Sequence, residues 1–489
     1  MPRRIAIIGG GISGLAAAFA LEEKRRAGVP VEYTLFEAGP RLGGVLVTER
    51  VDGCLVEAGP DSFITEKPWA ADLCKKIELG DQLIGSNDAR RKTYIVVKNK
   101  LVVMPDGLMF MVPTKILPTV LSPLFSTRTK MRMATEWFHP PRLQSNTHET
   151  LEDESVADLV ERHYGAEMVD RLADPLLSGV YGGEASQLSV RAVLPRFCEM
   201  EAKYGSLSRA MLAARRKMAA AAKGPSPPLF TSLKNGMQQL VDALVVRVEA
   251  SALRCSTPVE SVIAQDDGWT VCAGYQTDHF DALIIATPTT AAAALLQMTD
   301  EKLSRELGEI RYSSSVTVTL GFDESVRRFL PPGFGFLVPR SEKRRMLAAT
   351  FVHNKFPHRA PENRAIVRCF LGGSRDEQIL QSSEDETLQI VRDELRQIIN
   401  LTAEPLFARI YKWIGAMAQY GVGHLDRLQR IEALRKKLPG LVLAGNGFTG
   451  IGVPDCVRSG QDAARKVLVA VGLERGVSTD NAPIGARSS

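Results

Sequence analysis

Four residues near the amino terminus have the types and spacing to hold a dinucleotide: Gly9, Gly11, Gly14 and Glu37. The glycines form a G-x-G-x-x-G, Gly9-Gly10-Gly11-Ile12-Ser13-Gly14. In this pattern Gly9 permits a tight turn, Gly11 lets a pyrophosphate approach the backbone, and Gly14 lets a helix pack close to a strand. Glu37 follows at the distance, ~20 residues on, at which an acid meets a ribose diol. Such residues must be carried by a strand, a turn, a helix and a second strand, and the flanking sequence supplies them. Arg3 to Ile8 is an isoleucine-rich run, Leu15 to Arg26 is an amphipathic helical stretch, and Val31 to Glu37 is a second β-branched and aromatic run. The start of the helix, including the Ser13 amide, would present free N–H groups and the positive end of its dipole to the phosphates.

The residues after Glu37 narrow the choice of dinucleotide. Glu37, Arg41, Gly43 and Gly44 form E-x-x-x-R-x-G-G, a second loop for which a nicotinamide enzyme has no use. The segment resembles that of flavoproteins related to amine oxidases and phytoene desaturases, where it wraps the pyrophosphate of FAD. Val56 to Asp61 fits the same pattern, as a glycine-bearing loop near the flavin. The resemblance implies FAD.

Composition sets broad limits. The chain has 489 residues and is 45% hydrophobic, enough for a large core and two or three domains. A net charge of +5 is too small an excess to argue for nucleic acid, but it suits an anionic substrate or an anionic membrane surface. Cys54, Cys74, Cys198, Cys255, Cys272, Cys369 and Cys456 are scattered without a C-x-x-C, which points to thiols in a reducing compartment and to no metal site. Because the first strand starts at Arg3, no signal or transit peptide is expected.

Further along, Pro68 to Leu79 reads as a helix, and Thr93 to Met104 as a hairpin turning at Lys98-Asn99-Lys100. Glu154 to Tyr164 reads as a helix capped by Asp153 or Ser155, with helical character continuing to Leu177 and a glycine-rich break over Ser178 to Gly183. Ala210 to Lys223 is a basic helix ending in a Gly224 to Pro228 linker. Strands are expected at Pro258 to Ala264, Trp269 to Ala273, Ala282 to Pro288, Val316 to Phe322, Ala365 to Leu371 and Leu441 to Asn446. Helices are expected at Glu384 to Asn400 and up to Val471. The expected fold is α/β: a discontinuous Rossmann-like FAD-binding domain (residues 1–90, 229–300 and 435–473), a mixed-sheet substrate domain (91–112, 186–228 and 301–434), a helical membrane-associating domain (113–185) and a disordered tail (474–489).

Five dispersed segments, in order, resemble oxygen-dependent protoporphyrinogen oxidases over nearly the whole chain. They are Asp174 to Ser189, Gly333 to Pro339, Cys369 to Arg375, Met417 to His424, and Ala444 to Asn446 with Gly452 to Cys456. The fourth departs from the family, which usually has proline where Ala418 stands. The resemblance implies a flavin oxidising protoporphyrinogen IX to protoporphyrin IX in three two-electron steps, with molecular oxygen as acceptor, in heme biosynthesis. It implies cofactor contacts at Val259, Gly445, Asn446, Gly452, Val453 and Pro454, and pocket walls at Gly179, Phe334, Leu337 and Phe370.

A propionate needs a cation, for which Arg91 is chosen over Arg90 and Lys92 in Ala89-Arg90-Arg91-Lys92-Thr93-Tyr94. The flavin carries the hard chemistry, so no catalytic side chain is expected, and His424 is read as structural. Residues 108–125 are the most apolar long stretch. Pro113, Pro118, Pro123 and Lys115 argue against a spanning helix, and Arg128, Lys130 and Arg132 argue for a peripheral segment on an anionic surface, the alternative being that 108–125 packs inward as a lid on the pocket. The resemblance thus places the chain in the cytoplasm, peripheral at the membrane face, and allows a homodimer. Alternatives are a coproporphyrinogen III oxidase, a polyamine or amine oxidase, and a flavin-free prenyl-protein carrier. The last would lack the intact glycine loop, acid and carboxyl-terminal flavin segment.

Overall fold

The computed structural model describes residues 1–109, 111–141, 152–221 and 227–475; Phe110, the linker residues 224–226 and the tail from 476 onward lie outside it. Around β1 (Arg3–Ile8) and β2 (Val31–Phe36) a five-stranded sheet forms in the order Leu253–Arg254, β2, β1, Ala282–Ile285, Leu441–Leu443, with every pair parallel. A parallel sheet is buried on both faces, which explains the unbroken apolar run of β1. Ile5 and Ile7 face α1 (Ile12–Arg26) and the carboxyl-terminal helix Val453–Ala470, whereas Ala6 and Ile8 face a three-stranded meander, Ser261–Gln265, Gly268–Ala273 and Gln276–Phe280. Strands from the start, middle and end of the chain therefore share one sheet.

A seven-stranded sheet runs in the order Phe407–Ala418, Tyr312–Asp323, Arg364–Gly372, Met346–Phe351, Gly335–Leu337, Thr93–Val97, Lys100–Val103. Its pairs are antiparallel except that between Gly335–Leu337 and Thr93–Val97. Lys98 and Asn99 have φ of 51° and 61°, the signature of a type I′ turn whose twist suits a hairpin. Alternation gives the sheet two unlike faces. Val316, Val318, Leu320, Cys369 and Leu371 pack on Val391 and Leu395 of the helix Glu384–Ile399. The register places Thr317, Phe370, Ala348 and Leu337 in one row on the opposite face.

Beside that face lies a unit of short helices between Ile116 and Ala221, with a core including Leu124, Leu159, Leu172, Leu177 and Leu207. Ser155 caps the helix Val156–Tyr164 in a capping box with Asp158. Buried His163 bridges Glu136 and Glu201, with its ring nitrogens 3.0 and 3.1 Å from their carboxylates.

Two expectations need correction. The glycine-rich stretch from Ser178 is not a break: the helix Asp174–Tyr181 continues through Gly179, and Gly182, with φ of 62°, is its left-handed cap. The apolar stretch 108–125 is not one surface. Leu117, Val120 and Leu121 of the helix Ile116–Leu121 are exposed, while Leu124 and Phe125 are buried in the helical core. Among the described residues no helix is long and apolar enough to cross a membrane.

Candidate cofactor and substrate site

The amino-terminal glycines divide into two kinds. A Cβ on Gly14 would lie 1.9 Å from the Gly9 carbonyl oxygen, and Gly9 has φ of 106°, so both are demanded by the turn itself. Gly11 is different: its φ is −67°, and a Cβ there would meet nothing within 4 Å. What glycine provides at position 11 is space, at the helix end where Leu15 N makes the first intrahelical bond to Gly11 O and no side chain caps the turn.

The second loop closes over this space. Gly43 N donates to Gly10 O at 2.8 Å, and the Cβ position of Gly44 lies 3.4 Å from Gly11 Cα. Gly43 and Gly44 have φ of 100° and 57°, so this approach needs glycine. The Arg41 guanidinium donates to the carbonyls of Leu42 and Gly44 and braces the loop. Both carboxylate oxygens of Glu37 accept backbone amides at 2.7 Å, from Gly10 and Gly39, which fixes the acid at the strand end. Thr257 N donates to Glu37 O at 2.9 Å, so the Thr257-Pro258-Val259 segment arrives beside the acid. Half-buried Val259 precedes the strand expected to hold it, which starts at Ser261. Ser13 is buried in the first turn of α1. An open flank at a helix start, walled by two glycine loops and an acid, fits the pyrophosphate and ribose of a dinucleotide.

At the carboxyl-terminal segment Gly445 has φ of 119° and donates its amide to Ser459 Oγ at 3.0 Å. Gly452 is the N-cap of Val453–Ala470, and Val453 and Pro454 form its first turn. The side chain of Asn446 has partners within the protein. Its carboxamide donates to Ala416 O at 2.9 Å and accepts from Tyr312 Oη at 3.3 Å, tying the loop to the larger sheet. Buried His424 stacks on Tyr420 with ring centroids 4.2 Å apart, its Nε2 lies 2.9 Å from Phe448 O, and burial lowers its pKa. These are the contacts of a structural histidine.

On the substrate side the register row puts Leu337 and Phe370 on one face, two strands apart and so ~10 Å from each other, with only Ala348 between them. Leu337 also packs against the helical core. The helix Asp174–Tyr181, carrying Gly179, lies against the strands Gly335–Leu337 and Met346–Phe351. Phe334 does not join this row. It precedes the strand Gly335–Leu337, lies between Gly333 and Gly335 with φ of 154° and 147°, and is buried. Its amide donates to Lys92 O at 2.7 Å, which brings the basic run to the end of the same strand pair. There Arg90 is held by Asn354 Oδ1 at 2.9 Å, whereas exposed Arg91 lies 3.9 Å from Asp88.

A buried cluster of charges was not legible in the sequence. Arg359 pairs with Glu57 at 3.0 Å and Lys355 with Asp61 at 2.9 Å, and Arg368 donates to the carbonyls of Ala58 and Gly59. Glu57, Lys355, Arg359 and Arg368 are buried and Asp61 is half-buried; the five join the Glu57-to-Asp61 loop to the larger sheet and carry three cations against two acids. Burial raises Glu57 despite Arg359. For Asp61 burial pulls the same way, but Lys355, Arg368 and Arg359 overcome it and lower the pKa. The one sequence signal was a lone Arg368 inside an otherwise apolar strand.

Comparison with known proteins agrees with this geometry. A family model described as flavin containing amine oxidoreductase matches residues 12–468. The chain is 33% identical over 481 residues to a Bacillus subtilis protein named coproporphyrinogen III oxidase, covering 95% of this chain and 98% of that one. It is 28% identical to protoporphyrinogen oxidase 2 of Arabidopsis thaliana, covering 95% and 94% respectively. A solved structure from Exiguobacterium sp., provisionally described as a protoporphyrinogen oxidase, aligns with a TM-score of 0.84 at 31% identity, over 96% of this chain and 99% of that one. Cyclohexylamine oxidase from Brevibacterium oxydans, at 18% identity and a TM-score of 0.68 over 97% of this chain and 100% of that one, shares the fold alone. The chain belongs to the flavin-containing amine oxidoreductase family, and its cofactor is FAD.

Proposed function

We propose that the chain oxidises a porphyrinogen to the corresponding porphyrin in heme biosynthesis, passing electrons to molecular oxygen. The observation that carries this reading is the apolar row of Leu337, Ala348 and Phe370 beside a helix whose Gly179 has open space at its Cβ position. A flat macrocycle needs a broad apolar wall and a flank without a side chain, and a small amine needs neither. FAD supplies acceptance of one hydride per step from a bridging methylene and reoxidation by oxygen. The chain's own residues then have three tasks: to hold the macrocycle flat, to keep water out, and to meet its carboxylates. Gly9, Gly11, Ser13, Gly14, Glu37, Arg41, Gly43, Gly44, Val259, Gly445, Asn446, Gly452, Val453 and Pro454 serve the cofactor in this reading. Gly179, Leu337 and Phe370 serve the ring, and Arg91 serves a propionate.

Coproporphyrinogen III is the first substrate to test, because relatives at 33% and 30% identity bear that name. Protoporphyrinogen IX, to which the sequence motifs pointed, is the second, supported by the Arabidopsis relative. Anaerobic mixing of the holoenzyme with each porphyrinogen, and with putrescine as a control, separates them by the rate of flavin bleaching. Bleaching by putrescine alone would end the porphyrinogen reading.

Arg91→Ala should raise KM about tenfold and leave kcat within about twofold, because a carboxylate clamp acts equally on ground and transition states. An unchanged KM would pass the role to Lys92 or Arg90. Leu117, Val120 and Leu121 of the helix Ile116–Leu121, and Phe138 further along, are exposed, as are Arg128 and Arg132, and these are the residues through which the proposed membrane contact is made. Phe125, being buried, is not part of it. Wild type should float with anionic liposomes at low salt, and a variant with those four apolar residues changed to serine should not. Wild type remaining at the bottom of the gradient would rule the contact out.

A further inference from the structure

One guanidinium joins the three segments that form the proposed substrate wall. Arg375 ends the turn Gly373–Arg375, directly after the strand that carries Phe370. Its Nη2 donates to Asp174 Oδ2, at the start of the helix that carries Gly179. Its Nη1 donates at 3.2 Å to Val338 O, immediately after the strand that carries Leu337. The side chains of Arg375 and Asp174 are 11% and 9% exposed, and the other Asp174 oxygen accepts Ala185 N at 2.9 Å. The same turn holds the far end of the helix, since Ser374 N donates to Gly182 O at 2.8 Å. An eight-residue helix, ~12 Å long, is thus held at both ends by one three-residue turn, with Gly179 between the two points.

A rigid planar fork suits this task. It can serve a carboxylate on one side and a carbonyl on another without changing shape, whereas an ammonium on a flexible stem cannot keep both distances. A pair so buried also fixes its elements in one arrangement, because separating the partners would leave a charge without compensation.

We infer that Arg375, acting with Asp174, is a positioning residue for substrate specificity. It sets the distance between the Gly179 helix and the Leu337–Phe370 row, and hence which porphyrinogen substituents fit between them. The inference rests on the porphyrinogen reading. It predicts that the two substrates, which differ in carrying propionates or vinyl groups at two positions, respond differently when the joint is loosened.

The test uses FAD-loaded Arg375→Gln, Arg375→Lys and Asp174→Asn, the last being nearly isosteric and so a guard against simple failure to fold. For each variant, KM and kcat are measured with coproporphyrinogen III and protoporphyrinogen IX. Flavin content, melting temperature and the rate at which oxygen reoxidises dithionite-reduced enzyme are measured in parallel. Flavin content and reoxidation should match wild type. KM should rise about tenfold with a smaller change in kcat, and the ratio of kcat/KM for the two substrates should shift at least about fivefold. Arg375→Lys should recover melting temperature while KM stays high. If the variants lose stability and kcat while KM and the substrate ratio hold, or if lysine restores KM together with stability, Arg375 is only a structural joint and the inference is overturned. Wild type that neither porphyrinogen reduces would instead overturn the porphyrinogen reading, and the inference with it.

Discussion

Gly11→Val is expected to give protein that folds and melts like the wild type but is colourless. The fold has no need of glycine at this position: φ is −67°, and a Cβ would meet no atom within 4 Å. FAD does need it, because a branched side chain would stand where the backbone should meet a pyrophosphate at the start of α1. Affinity should fall at least about a hundredfold, or about 3 kcal/mol. Gly14→Ala makes the contrast. Its new carbon would sit 1.9 Å from a backbone carbonyl that cannot move aside, so the expected result is loss of the fold itself, at about 3 kcal/mol or more. Flavin absorbance and the melting temperature of the apoprotein separate the two cases. A yellow Gly11→Val protein would mean that the cofactor approaches elsewhere.

Gly179→Leu should move stability and activity in opposite directions. Gly179 lies inside the helix Asp174–Tyr181, where glycine costs about 1 kcal/mol relative to a good helix former, and no atom lies within 4 Å of its Cβ position. Leucine should therefore raise the melting temperature by about a degree or two in a chain of this size. If the open flank receives the macrocycle, the same leucine would fill it, and porphyrinogen turnover should fall at least about a hundredfold while FAD stays bound. A variant that is both more stable and fully active would show that the flank receives nothing.

What could be read from the sequence follows from the range of the interactions. The β1-α1-β2 unit was legible because its glycines, acid and apolar periods are local, and the parallel sheet then follows from alternating strand and helix patterns. The helix through Gly179 reads as a break in the sequence because glycine clusters usually end helices, whereas packing on the sheet carries this one four residues past Leu177. Phe334 groups with Leu337 in the sequence because both are apolar residues of one motif, but it precedes the strand Gly335–Leu337 and sits between two glycines of positive φ, which no apolar pattern reveals. The long edge strand Phe407–Ala418 was missed because Arg409, Lys412 and Gly415 interrupt its apolar pattern. Pairs such as Asp61 with Lys355 and Asp174 with Arg375 could not be seen, since partners hundreds of residues apart leave no spacing to recognise.

The order of strands in the parallel sheet also determines when a growing chain can acquire its cofactor. β1 and β2 are made first, but the neighbour of β1 on its other side, Ala282–Ile285, and the edge strand Leu441–Leu443 come much later. At roughly 5–20 residues per second, the edge strand follows β1 by about 20–90 s. During that interval β1 waits with one edge unpaired and open to wrong partners. The helix Val453–Ala470 completes the core: a Cβ on Gly460 would lie 2.1 Å from Ser13 O, so it seats directly on α1. Loading with flavin thus waits for this helix, and a message cut short before it is expected to yield a protein with every amino-terminal glycine in place and no cofactor.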